Sequence, residues 1–199
     1  MQRRLSLCLI LTLLISAMSA CSTAPVSQRT TATWPTYATS PAHLSAAKAF
    51  LINIEAVEMF MIGYKVGLNE IAREQPGMAE LMDRALGDVT ADDFLNMTAE
   101  VYAHYLTQAQ LTELAELSDN SSVKSMFRTI RWNATQNKPI DEDEFTKKLD
   151  ADQLEDLLKF SQSESVFAMQ LMLPEINREL AENARLYGEA KLVSYLNEQ

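Results

Sequence analysis

The sequence predicts an all-α protein: a single helical bundle domain with two similar helical hairpins, preceded by a signal peptide and a flexible tether. Three observations carry this. From residue 46 onward apolar side chains recur at spacings of three and four, the period of a helix with one buried face. Cap signatures punctuate the chain, with Ser40-Pro41, Thr107-x-x-Gln110 and Asp150-x-x-Gln153 each preceding an apolar stripe. Residues 106–126 then recur at 149–169. The resulting division is 1–20 signal peptide, 21–40 tether and 41–199 helical domain, long enough for one hydrophobic core.

The signal comes first in the chain. Gln2-Arg3-Arg4 is cationic, residues 5–15 are mostly apolar, and Ser16-Ala17-Met18-Ser19-Ala20-Cys21 is a small-residue exit, the layout of an export signal. Its apolar core falls short of the roughly 20 residues a spanning helix needs. These residues resemble a bacterial lipoprotein signal, with Met18-Ser19-Ala20-Cys21 as the lipobox and Met18 in place of the more usual leucine. The resemblance implies cleavage before Cys21 and lipid attachment to its thiol. It also implies a lipid-anchored protein of the bacterial envelope. Ser22 rather than aspartate after that cysteine implies the outer membrane, facing the periplasm.

Cleavage would remove Arg3 and Arg4 but no acid, taking the formal charge from −10 to −12. Such a body repels phosphate backbones and anionic head groups, so nucleic acid is excluded as a partner and the membrane contact is the N-terminal lipid. Cys8 would leave with the signal and Cys21 would carry lipid, so no thiol remains for a disulfide. Residues 22–40 are rich in Ser, Thr, Ala and Pro and bury too little to offset their ordering entropy. As a coil they span roughly 25 Å on average and at most about 60 Å. Trp34-Pro35-Thr36-Tyr37 is either a docking site or a patch that folds back on the domain.

Behind Ser40-Pro41, Ala46, Phe50, Ile54, Val57, Met61, Tyr64, Leu68 and Ile71 predict one long helix ending before Pro76-Gly77. Phe60, Ile62 and Val66 widen its apolar face, and Gly63 and Gly67 offer a spacing for close helix packing. Short helices are expected over about 78–86 and 91–105. The repeat then pairs Leu106, Leu111, Leu114, Ser118, Ser122, Val123 and Met126 with Leu149, Leu154, Leu157, Ser161, Ser165, Val166 and Met169 at an offset of 43. Each copy reads as cap, short helix, polar break and second helix. The paired leucines, Leu111 and Leu154 among them, are expected in the core. The final helix starts near Ser163, and Pro174 within it predicts a kink or short break.

Val101-Tyr102-Ala103-His104-Tyr105-Leu106-Thr107, the leucines at 111, 114 and 117, and Phe160-Ser161 in the second copy resemble the bacterial family named domain of unknown function 2059. The Phe-Tyr-x-Ser-Pro-x-Gly closure of that family is largely replaced: Leu117-Ser118 stands for Phe-Tyr, and neither copy has the proline or the glycine. What the resemblance implies is an all-helical envelope domain, with no catalytic residue carried over.

The chemical inventory of the chain is short. His43 and His104 have no second metal ligand at a useful spacing. Asp141-Glu142-Asp143-Glu144 reads as a solvated loop and helix start rather than a calcium loop. The methionines, such as Met59 and Met61 or Met169 and Met172, read as packing side chains before soft metal ligands. No catalytic, cofactor or metal residue is assigned, and the site residue is Cys21. The expected function is a non-catalytic interaction or structural module with an envelope protein partner. A carrier of lipid or another apolar ligand is the alternative, and a hydrolase the third reading.

Overall fold

The computed structural model describes residues 36–136, 138 and 142–198, with the side chains at 65–68, 70–72, 76, 142 and 143 outside that description. Among the described residues there are nine helices and no strand. They are α1 (Pro41–Asn53), α2 (Ala56–Glu74), α3 (Pro76–Ala85), α4 (Ala91–Tyr105), α5 (Gln108–Ser118), α6 (Ser121–Thr135), α7 (Glu142–Lys147), α8 (Ala151–Ser161) and α9 (Glu164–Asn197). The signal, Cys21 and most of the tether lie outside the described residues, as does Asp141 of the acidic run.

Each start has a local cause. Ser40 accepts from the His43 amide and Pro41 opens α1, while Thr90 with Asp93, Thr107 with Gln110 and Asp150 with Gln153 form reciprocal capping boxes. Such caps satisfy orphan donors at helix starts and are worth about 1 kcal/mol each. Asn120 and Ser163 cap α6 and α9 with a single side-chain bond each, to the Ser122 and Val166 amides. The caps at 107 and 150, and those at 120 and 163, keep the 43-residue offset, so α5–α6 and α8–α9 are the two hairpins the sequence predicts.

The two hairpins face one another reciprocally. The Ser122 hydroxyl donates to Asp156 at 2.9 Å, and the Ser165 hydroxyl donates to Glu113 at 2.5 Å. Glu113 and Asp156 are themselves 43 apart, so each bond is the image of the other under exchange of the copies. Between the hairpins lies the main core, where Leu111, Leu114, Val123, Leu157, Phe160 and Val166 are almost wholly buried. Phe127 meets Phe160 edge to face at 6.1 Å. α1 lies against α5 and α4 and contributes Ala47, Phe50 and Leu51 to the same core.

Leu154 departs from expectation. It is 38% exposed, although Leu111 at the matching position is fully buried. α1 packs along α5 of the first hairpin, whereas α8 packs on α5, α6 and α9.

The long first helix is also two helices. The chain breaks at Ile54, and Glu55 takes a left-handed φ of 55°. Nothing in the apolar period marks this, because Ile54 and Val57 would fit either geometry. The Glu55 carboxylate accepts from Arg128 Nε at 3.2 Å and Arg131 Nε at 2.5 Å, both on α6. A left-handed conformation is costly for a residue with a Cβ. Glu55→Ala removes both ion pairs and keeps that cost, so it should lose about 1 kcal/mol in urea unfolding, the worth of two partly exposed pairs. Glu55→Gly should lose less, because glycine adopts positive φ freely. Equal losses would assign the whole effect to the arginine contacts.

Two further expectations give way. A Cβ at Gly63 would meet nothing within 4 Å, so this glycine serves no close helix packing, and Gly67 lies outside the described side chains. α9 runs unbroken through Pro174, which lies on its exposed side, where a carbonyl left unpaired in the preceding turn can meet water. Burial along α9 nevertheless changes soon afterwards. Val166, Met169, Leu173 and Ile176 are buried, and beyond Ile176 no residue is.

Candidate functional site

Three arrangements stand out on this frame. The first is polar and joins α4 to α9. His104 Nδ1 lies 2.7 Å from Glu179 Oε1, and the Tyr105 hydroxyl donates to Glu179 Oε2 at 2.7 Å. One carboxylate thus receives two neighbouring side chains, His104 being the more exposed. Burial, followed by the bond to Glu179, pushes the Tyr105 phenol up to about 12, so the phenol keeps its proton at neutral pH and remains a donor. An imidazole oriented by a carboxylate is a general-base geometry. Here it fastens the end of α4 to the middle of α9. Tyr37, where the described tether begins, donates its backbone N–H to the His104 carbonyl at 2.9 Å. The tether therefore folds back onto this corner at Tyr37, while Trp34 lies outside the described residues.

The second arrangement is the seat of α1. His43 is 3% exposed and its Nε2 lies 2.7 Å from the Leu106 carbonyl, so it donates as an Nε2–H. Asn53 Nδ2 donates to the Ala115 carbonyl at 3.0 Å and to Ser118 Oγ at 3.3 Å. Between these two polar fasteners, Phe50 tilts against Tyr102 with ring centres 6.1 Å apart. The sequence shows the apolar stripe of α1 but not its polar ends. A histidine and an asparagine at opposite ends of one stripe were the available signal. His43 is thus a satisfied core side chain.

The third arrangement is apolar and exposed. Phe167 and Leu171 lie one turn apart on α9 at 62% and 52% exposure, and Leu186, Val193 and Leu196 are exposed further along the same helix. Ordered pairs Glu175–Arg178, Glu182–Arg185 and Arg185–Glu189 occupy the stretch between. On the wide face of α2, Phe60 stacks on Phe94 at 4.4 Å, so it is an internal contact; Ile62 is half-buried and Val66 lies outside the described side chains.

Met169 is buried, and Met59 and Met172 pack half-buried against the core, the gap-filling role of methionine. Among the described residues, no group of three or more His, Cys, Asp or Glu could hold a metal. No helix among them is long and apolar enough to cross a membrane, and no buried side-chain nitrogen or oxygen in them lacks a hydrogen bond. Glu113, Asp156, Glu179 and Glu55 were not visible as sites in the sequence, because each acts through a partner 34 to 76 residues away. Compared with known proteins, the chain matches no family model, no curated sequence and no solved structure.

Proposed function

We propose that this chain is a lipid-anchored periplasmic protein of the bacterial envelope, held by Cys21, whose helical domain acts as a non-catalytic interaction or structural module. The observation that carries the reading is the contrast between a closed core and large apolar side chains left outside it. Phe50, Leu111 and Phe160 are almost wholly buried, whereas Phe167 and Leu171 stand in solvent a single turn apart. Single exposed apolar residues are ordinary, but neighbouring large ones mark contact surfaces. The lipobox at 18–21 supplies the anchor, and the acidic body leaves the lipid as the membrane contact. The resemblance of residues 99–130 to the domain of unknown function 2059 pattern is part of the same proposal.

Site-specific photocrosslinking in intact cells tests it. A photoreactive residue at 167 or 171 should give a discrete adduct with an envelope protein, and one at Glu182, in the charged stretch of α9, should not. Absence of any adduct from 167 and 171, in cells where the protein sits in the membrane fraction, would overturn the interaction reading.

A further inference from the structure

The internal repeat sets the seat of α1 beside a second copy that the described residues leave partly uncovered. On the first hairpin and the end of α4 before it, the contacts of α1 and Glu55 involve Tyr102, Leu106, Ala115, Ser118, Arg128 and Arg131. Moved by 43 residues, these positions become Phe145, Leu149, Leu158, Ser161, Leu171 and Pro174. The polar floor is kept: Ser118 donates to the Ala115 carbonyl at 3.1 Å, and Ser161 donates to the Leu158 carbonyl at 2.9 Å. The cover is not. Leu106, Leu111 and Ser118 are fully buried, whereas Leu149 and Ser161 are half-buried and Leu154 is 38% exposed. Leu171, where the first copy has an arginine paired with Glu55, is 52% exposed.

Charge narrows what fits there. Residues 107–132 hold three acids and three bases, while residues 150–175 hold six acids and one lysine; of those acids, Asp156 is bonded to Ser122 and Glu175 is paired with Arg178. α1 carries Lys48 and no acid. The two arginines that receive Glu55 are replaced by Leu171 and Pro174, so an acid in the occupant would find no partner. A second copy of this chain, itself strongly acidic, would meet like charge across the contact.

We propose that the second hairpin is a docking groove for a basic amphipathic helix of a partner protein, seated over Leu154, Leu158, Ser161 and Leu171 as α1 is seated on the first hairpin. Its apolar stripe has a small residue, an aromatic and a leucine at the spacing of Ala47, Phe50 and Leu51. An amide side chain two residues after the leucine, as Asn53 follows Leu51, meets Ser161. Its outward positions are lysine or arginine, facing the acidic rim. This is the helix-in-groove mode, with affinity from the stripe and orientation from the charges. The proposal rests on the interaction-module reading and names the partner's chemistry.

The test uses the full chain and a fluorescent peptide with the sequence of residues 40–54 carrying Ala42→Lys, Ala49→Lys and Ile52→Lys. Saturable binding is expected, weakened about tenfold by Leu154→Gln and by Leu171→Gln, with melting temperatures held because both side chains are exposed. Raised salt should also weaken it. A photoreactive group on the peptide should mark residues of α8 and α9 in the unmutated chain, a readout independent of either variant. No saturable binding, binding indifferent to both substitutions, or marking confined to α5 would overturn the proposal. So would self-association of the chain that Leu154→Gln abolishes, because the occupant would then be a second copy. Cellular adducts at 167 or 171 without peptide binding would leave the interaction reading standing and remove this one.

Discussion

Leu111→Ala should cost about 2–5 kcal/mol of unfolding free energy, and Leu154→Ala less than about 0.5 kcal/mol. The two leucines occupy the same position in two copies of one hairpin, each with a capping box that opens four residues upstream. Their difference is cover. Leu111 is fully buried in the core that holds Phe50 and Leu51 of α1, so truncation leaves a cavity walled on both sides; Leu154 is 38% exposed, and water already replaces part of its neighbourhood. In thermal melting the first change should lower the midpoint by roughly 5 °C or more, for a domain of this size. Equal losses at the two positions would mean that the second hairpin is covered as the first is, which would also remove the groove proposed above.

The same pair shows where sequence reading stops. The hairpins, their caps at 107 and 150 and the bounds of α4 at 91–105 were legible because each is written locally, in a side chain three residues from the amide it caps or in a period of three and four. Burial of a particular copy is not local. Leu111 lies on α5, against which α1 packs, whereas the main neighbours of α8 are α5, α6 and α9. Glu55 fails for a related reason: apolar spacing registers which side chains face the core, and that spacing survives a single left-handed residue whose cause, Arg128 and Arg131, lies more than 70 positions away. Pro174 fails in the opposite sense. Its cost is real in a buried helix, but it sits on the exposed side of α9, where water can take up the displaced carbonyl. Of the candidate site residues, the serines at 122 and 165 were legible as a matched pair, and their acids Glu113 and Asp156 were not, although the acids obey the same offset.

On the lipoprotein reading proposed above, Cys21→Ser should abolish lipid attachment altogether, because a thioether needs the thiol and serine offers none. Cells fed a radiolabelled fatty acid should show a labelled band for the unmutated chain and none for the variant. The variant should remain uncleaved or leave the membrane fraction. Acidity makes this outcome sharp. A weakly anchored basic protein can stay on an anionic membrane by charge, but the processed chain would carry a formal charge of −12, having lost Arg3 and Arg4 from a total of −10, and head groups repel it. Each buried methylene of an acyl chain contributes about 0.8 kcal/mol to membrane binding, so on the proposed reading the diacylglycerol supplies the anchor. Lys124 and Arg185 are already paired with Asp119 and with Glu182 and Glu189. A Cys21→Ser chain that still takes up label and fractionates with membranes would therefore overturn the lipobox reading, and with it the assignment of this domain to the envelope.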